Sequence, residues 1–149
     1  GIDAADSLWD QAEIDQASFD GAKLAGASFI KASCREASFE GADLADARFN
    51  RSILWGARFT NATADGANFD GASLTSAQAA RADLTGVNLC RSNLSSANFR
   101  TARMAESRFI DATVEKADFR DALLTRADFT RVDRSSARFQ GANIDGITT

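Results

Sequence analysis

The chain has no histidine, tyrosine or proline, and only two cysteines and one methionine among its 149 residues. Without histidine it lacks the usual general base and the commonest metal ligand. Its two cysteines, Cys34 and Cys90, form no disulfide framework, which favours a reducing, cytoplasmic compartment. The composition therefore predicts a protein that is not an enzyme and that needs no metal or cofactor.

Long apolar runs and an excess of positive charge are missing as well. No stretch approaches the ~18–20 apolar residues of a membrane span, and no basic-then-apolar leader is recognisable at the N-terminus. The chain carries 17 basic and 21 acidic residues, a formal net charge of −4. Binders of nucleic acids or anionic membranes need a basic surface, so neither direct nucleic-acid binding nor a membrane span is expected.

What the sequence does contain is a repeat of five residues. From Gln11 to Asp145 it divides into 27 consecutive blocks without insertion or deletion. The second position of the block holds Ala in 22 of the 27 blocks, and all ten glycines of the chain stand in the first position. The fourth position holds every one of the 11 phenylalanines and is otherwise mostly aliphatic. The phenylalanines are Phe19, Phe29, Phe39, Phe49, Phe59, Phe69, Phe99, Phe109, Phe119, Phe129 and Phe139, and they are predicted to form the structural core.

A period of five is incompatible with an amphipathic α-helix, because five residues advance about 140° beyond one full turn. Apolar second and fourth positions around a polar third position are typical of a short extended segment. Glycine in the first position favours a turn between consecutive segments. Segments this short need neighbours stacked above and below, so the chain is predicted to coil.

The spacing of phenylalanine indicates the number of blocks per coil. Phenylalanine recurs every ten residues from Phe19 to Phe69 and from Phe99 to Phe139. An even number of blocks per coil stacks Phe on Phe, and two blocks leave too little perimeter to enclose aromatic rings. Four blocks per coil are therefore predicted, with two aromatic columns and two mainly aliphatic columns facing the interior.

The repeated block resembles the pentapeptide-repeat proteins, as in Ala17-Ser18-Phe19-Asp20-Gly21 and Ala82-Asp83-Leu84-Thr85-Gly86. The resemblance covers residues 11–145 and implies an all-β fold, a right-handed quadrilateral parallel β-helix of about seven four-sided coils. A single domain is expected over residues 1–149, with residues 1–10 as an N-terminal cap or partial coil and residues 146–149 as a C-terminal tail.

Three positions depart from the core pattern. Ala64 and Ala79 replace large fourth-position residues, which predicts a locally thinner core or a small cavity, with a bend or a feature induced by a partner as the alternative. Arg134 also occupies a fourth position, where an unpaired charge would be costly, so an opened C-terminal edge is expected to let its guanidinium reach water. Cys34 falls in a core position, whereas the outward position of Cys90 leaves room for an exposed thiol.

Two surface features are candidate partner contacts. Asp10, Glu13, Asp15 and Asp20 belong to an N-terminal stretch of twenty residues that contains no basic residue. Their carboxylates are expected to surround the N-terminal end, either as an acidic contact for a basic partner or as charges that keep strand edges from pairing. Ile53 and Trp55 flank Leu54 in outward positions and form either a small contact patch or ordinary exposed surface.

Two functions remain open from the sequence. The first is a non-catalytic rod that binds or scaffolds an unidentified protein partner, as a monomer or weak homodimer. The second, implied by the resemblance to quinolone-resistance members of the family, is a DNA mimic that interacts with a topoisomerase such as gyrase. A DNA mimic needs negative charge along the whole rod, but residues 76–149 carry 9 acidic and 11 basic residues.

Overall fold

A computed structural model describes residues 2–149; Gly1, the first residue of the expected N-terminal cap, lies outside the described residues. Within residues 2–149 there is no α-helix, and β-pairing occurs at single residues, the third position of every block except 131–135. These bridges are all parallel and join residues twenty apart, from Asp3↔Lys23 to Asp128↔Thr148. The chain is therefore an all-β solenoid in which four blocks separate one bridging residue from the next above it.

The turns between segments rely on a left-handed backbone at the first position. This conformation occurs at nine glycines and at 19 other residues, with φ between 55° and 76°. At Gly26 a Cβ would meet the Asp6 carboxylate of the preceding coil, so a larger residue would require that side chain to move. Each turn is closed by a hydrogen bond from the second-position N–H to the carbonyl three residues before, such as Ala22 N to Phe19 O at 3.0 Å.

Second- and fourth-position side chains fill the interior. Ten of the phenylalanines are at most 7% exposed, whereas Phe139 in the last coil is half-buried. Rings twenty residues apart stack nearly parallel, for example Phe39 on Phe59 with centroids 5.1 Å apart. Rings ten residues apart meet edge to face, as Phe49 and Phe59 do at 6.0 Å. The two aromatic columns therefore pack against each other across the core.

The small residues that interrupt the fourth-position columns are buried. Ala64 and Ala79 are at most 2% exposed. Ala79 separates Phe59 from Phe99, so the aromatic stack of that column is broken into an N-terminal and a C-terminal part. In the other aromatic column Leu89 stands between Phe69 and Phe109. The coil that contains Ala79 and Leu89 is the place where neither stack continues.

The solenoid opens at Arg134, but only along one segment. Thr113 has no bridge to Asp133, whereas Asp118, Leu123 and Asp128 are bridged to the coil above. The half-buried Arg134 side chain places its guanidinium 5.7 Å from the centre of the Phe129 ring. The expected opening thus occurs at residues 131–136, while the rest of the last coil keeps its pairing.

Candidate functional site

Four of the six predicted contact residues lie on one face of the solenoid. The twenty-residue register aligns segments 11–15, 31–35, 51–55, 71–75, 91–95, 111–115 and 131–135, which together form what we call the Trp55 face. This face carries Glu13 and Asp15 in its first segment and Ile53 and Trp55 in its third. Asp10 lies on the preceding face and Asp20 on the following one, so the acidic residues span three faces.

The apolar part of the Trp55 face is small and its backbone is fixed. Trp55 is 48% exposed, and Ile53 beside it is half-buried. Ile53 is bridged on both sides, to Ser33 and to Ser73, and the carbonyl of Trp55 accepts a hydrogen bond from the Glu36 N–H at 2.8 Å. The indole is therefore presented on a rigid surface.

Three of the four predicted acidic contacts bind the second coil of their own chain. The Asp15 carboxylate accepts hydrogen bonds from the Ser33 hydroxyl at 2.6 Å and from the Arg35 backbone N–H at 2.9 Å. Asp10 does the same with Ser28 and the Ile30 N–H, and Asp20 with Ser38 and the Glu40 N–H. All four of these side chains, that of Glu13 included, are exposed. Much of the hydrogen-bonding capacity of this acidic end is thus used within the molecule.

These contacts satisfy the backbone N–H of the fifth position, which has no backbone acceptor in the repeat. The N–H of the fifth position donates to no backbone carbonyl anywhere in residues 2–149, unlike the N–H groups of the other four positions. Within residues 11–145, every third-position Asp or Asn accepts a hydrogen bond from the fifth-position N–H of its own block. These ten residues are Asp43, Asn68, Asp83, Asn88, Asn93, Asn98, Asp118, Asp128, Asp133 and Asn143.

In the second coil the third position is serine on three faces, and a fifth-position aspartate of the first coil caps the donor instead. The preference of the third position for Ser, Asp and Asn is visible in the sequence. The role of Asp10, Asp15 and Asp20 is not, because their partners lie 18 and 20 residues away. A side chain that caps an otherwise unpaired backbone donor contributes to stability whether or not it also contacts a partner.

The stability of the first coils should therefore depend on pH. The Ser28 hydroxyl lowers the pKa of Asp10, and the Ser33 hydroxyl and the Arg35 N–H lower the pKa of Asp15. Because these folded-state values lie below the unfolded value of about 3.9, the stabilisation is complete above that pH and is lost as pH falls through the folded-state values. The thermal midpoint of the wild type should drop on acidification below pH ~4.

The matched control is Asp15→Asn, which keeps an oxygen acceptor for the Arg35 N–H but does not ionise. Its midpoint should drop less than that of the wild type over the same acid range. Equal drops in the two proteins would show that the Asp15 carboxylate does not contribute to the acid response. Differential scanning calorimetry at a series of pH values measures both.

The two cysteines are both buried, and this corrects the expectation for Cys90. Cys34 is fully buried in the core, and burial raises the pKa of its thiol to about 12. Cys90 is only 6% exposed although it occupies an outward position. Its Sγ lies 4.0 Å from the carbonyl oxygen of Arg108 in the next coil, so this small fifth-position side chain lies against the neighbouring segment and is covered.

Neither a metal-binding cluster nor a membrane-spanning helix occurs in the part of the chain that the structure describes. No group of three or more Cys, Asp or Glu side chains within residues 2–149 is arranged to hold a metal ion. No helix in that part of the chain is long and apolar enough to cross a membrane.

Two family models of pentapeptide repeats match the sequence of this chain. A family model described as pentapeptide repeat region matches residues 72–148, just over half of the chain, and a model described as pentapeptide repeats (8 copies) matches residues 17–56. A comparison with curated proteins gave no match. Both halves of the array are thus matched by models of the same kind of repeat.

Solved structures of such repeats are also similar to this chain. Full-length QnrB1, a plasmid-mediated fluoroquinolone resistance protein, is 23% identical with a TM-score of 0.45, over 98% of this chain and 90% of its own. HetL from the cyanobacterium Nostoc, involved in heterocyst differentiation regulation, is 18% identical with a TM-score of 0.38, over 99% of this chain and 88% of its own. A protein of the Arabidopsis thaliana thylakoid lumen is 32% identical with a TM-score of 0.49, over 64% of this chain and 63% of its own.

Proposed function

This chain belongs to the pentapeptide-repeat family, and from that premise we propose that it is a non-catalytic rod that binds another protein through the Trp55 face. The observation that carries the proposal is the exposed indole of Trp55, held on a backbone that is bridged on both sides at Ile53. Aromatic side chains are common anchors of protein interfaces. The absence of histidine and the burial of both cysteines support a role without catalysis.

The distribution of charge on the Trp55 face also suits an interface. In segments 51–55, 71–75 and 91–95 the third and fifth positions are all uncharged. Acidic residues occupy these positions at the two ends of the face, Glu13 and Asp15 at one and Glu115 and Asp133 at the other. The buried centre of a protein interface is depleted of charge and its rim is polar, so the middle of this face, around Trp55, is where we place the centre of the contact.

The architecture that we propose for the rod combines the twenty-residue register with the handedness and cross-section that the family resemblance implies. A right-handed quadrilateral coil, repeated about seven times as one domain, presents four flat faces over a length of roughly 32 Å at ~4.8 Å per coil. The twenty-residue bridges and the 27 blocks of the array support this number of coils. A rigid rod of this kind offers a partner a preformed surface, which lowers the entropic cost of binding.

Replacing Trp55 with glutamate should abolish binding through this face, because the change removes the apolar anchor and places a carboxylate among third and fifth positions that carry no charge in segments 51–55, 71–75 and 91–95. If the partner is a second copy, multi-angle light scattering should show a wild-type dimer and a monomeric Trp55→Glu variant. If the partner is another protein, affinity capture from the source lysate should recover it with the wild type and lose it with the variant. Equal capture by the two proteins would contradict the proposal.

The acidic N-terminal end is tested separately by a variant in which Asp10, Glu13, Asp15 and Asp20 become Asn or Gln. This variant keeps side-chain oxygens that can cap the second coil, and exposed charges contribute little individually, so it should stay folded. Loss of capture, together with wild-type capture that weakens as salt rises, would identify the acidic end as part of the contact. Aggregation without loss of capture would identify these charges as protection of the strand edges.

The alternative function, a DNA mimic that interacts with a topoisomerase such as gyrase, is tested by the same proteins. A supercoiling assay of gyrase with and without a quinolone would show protection or inhibition by the wild type. Protection that survives Trp55→Glu would favour this alternative over binding through the Trp55 face.

A further inference from the structure

The opening at residues 131–136 leaves part of the Trp55 face without its β-pairing. Between two complete neighbouring segments, three ladder hydrogen bonds recur: from the fourth-position N–H, from the next first-position N–H, and from the third-position N–H of the coil above. All three are missing between segments 111–115 and 131–135. The Val114 N–H and the Ala112 carbonyl consequently have no backbone partner within residues 2–149, while the Lys116 N–H donates to the Ser136 hydroxyl at 3.1 Å.

Arg134 accounts for the opening. Its position is the inward one that carries Leu54, Leu74, Leu94 and Val114 in the coils below. A guanidinium at that position cannot be buried without a partner, so the segment moves outward and the side chain lies beside Phe129. Ser136 is the first-position residue that follows this segment. Unlike the other first-position residues from Asp6 to Gly146, it does not have a left-handed backbone.

The displacement creates a cleft of about 440 Å³ between the two segments. Its lining includes three carboxylates, those of Asp111, Glu115 and Asp133, and one guanidinium, that of Arg131. Arg131 is bound to Asp111 through two hydrogen bonds of 2.5 Å. Glu115 lies 3.5 Å from the Lys116 ammonium in an exposed pair, a kind of pair that is weak enough for another cation to displace.

Two features of the cleft point to the same ligand. The unpaired N–H and carbonyl of segment 111–115 offer main-chain hydrogen bonds to an extended polypeptide. The excess of carboxylates in the lining favours positive charge, and Glu115 and Asp133 are the groups that a cation would meet once Arg131 is paired with Asp111. An extended, basic polypeptide satisfies both features.

We propose that this open edge accepts an extended segment of a partner polypeptide that carries basic side chains. Its main chain would donate to the Ala112 carbonyl and accept from the Val114 N–H, which is strand addition to an exposed sheet edge. Its basic side chains would face Glu115 and Asp133. The proposal rests on the proposed function only in requiring a polypeptide partner, since the edge lies three coils away from Trp55.

The probe is the synthetic peptide acetyl-Lys-Ala-Lys-Leu-Lys-amide, which follows the small and apolar positions of the repeat and is basic elsewhere. Isothermal titration should show saturable binding, and NMR of isotope-labelled protein should show the Val114 amide shifted by the peptide. The same peptide methylated on the main-chain nitrogen of its central lysine keeps the charge but loses the donor for Ala112. Its affinity should be at least tenfold lower.

The matched protein variant is Arg134→Leu, which restores an apolar inward residue and should let segment 131–135 pair with segment 111–115. It should bind the peptide at least tenfold more weakly, and its Val114 amide should exchange with solvent more slowly than in the wild type. Trp55→Glu should leave peptide binding unchanged. Loss of partner binding through the Trp55 face can then be distinguished from loss of peptide binding at this edge.

Three results would overturn the proposal. One is equal affinity for the methylated and unmethylated peptides, which would mean binding by charge alone. Another is a Val114 amide that is already protected in the wild type, which would mean a closed ladder. The third is a wild-type dimer that Arg134→Leu converts to a monomer, since the occupant of the edge would then be a second copy of this chain.

Discussion

Phe59→Ala should lower the free energy of unfolding by about 3–5 kcal/mol, the usual cost of removing a buried phenylalanine ring. Phe59 is 2% exposed, stacks on Phe39 at 5.1 Å and meets Phe49 and Phe69 edge to face. On its other side the column continues with Ala79, which is too small to fill the space that the ring leaves. The cavity should therefore persist, and the cost should lie toward the upper end of the range.

Urea or thermal unfolding followed by circular dichroism measures this loss. For a chain of this size the thermal midpoint should fall by roughly 10 °C. Phe139→Ala is the matched control, because Phe139 is the same residue in the same column but is half-buried in the last coil. A midpoint for Phe59→Ala that equals that of the wild type would contradict the four-block register on which the column depends.

The interior could be predicted from the sequence because one physical requirement repeats in every block. Apolar second and fourth positions must face inward, and phenylalanine at a spacing of ten specifies an even number of blocks per coil. The stack of Phe29, Phe49 and Phe69 follows from those two facts together with the perimeter that aromatic rings need, which excludes two blocks per coil. Such periodic constraints depend on residue type and spacing alone, and no knowledge of the surface is needed to apply them.

The surface was less predictable because its contacts depend on which residues the coil brings together. The role of Asp15 is set by Ser33 and Arg35, which lie one coil above it and give no local signal. The burial of Cys90 depends on the neighbouring segment that contains Arg108. The effect of Arg134 could be expected in kind, but the restriction of the opening to one segment depends on the pairing that its neighbours keep.

The second position should tolerate a small polar residue but not a large apolar one, and Ala97 provides the test. Ala97 is fully buried, its N–H donates to the Leu94 carbonyl at 2.9 Å, and its own carbonyl accepts from the Asp118 N–H at 2.9 Å. Because the backbone is held at both groups, it cannot move outward to make room for a longer side chain. Ala97→Leu should therefore destabilise the fold by about 3 kcal/mol, at the upper end of the usual cost of overpacking.

Ala97→Ser is the matched control for this prediction. Where serine occupies the second position within residues 11–145, at Ser52, Ser92 and Ser107, its hydroxyl donates to the carbonyl three residues before, at 2.6–2.7 Å. A serine at position 97 should bond the Leu94 carbonyl in the same way, and its stability should stay within about 1 kcal/mol of the wild type. Urea denaturation of both variants measures the difference. If Ala97→Leu unfolds at the same urea concentration as Ala97→Ser, the second position is not sterically restricted, and the predominance of alanine there has another cause.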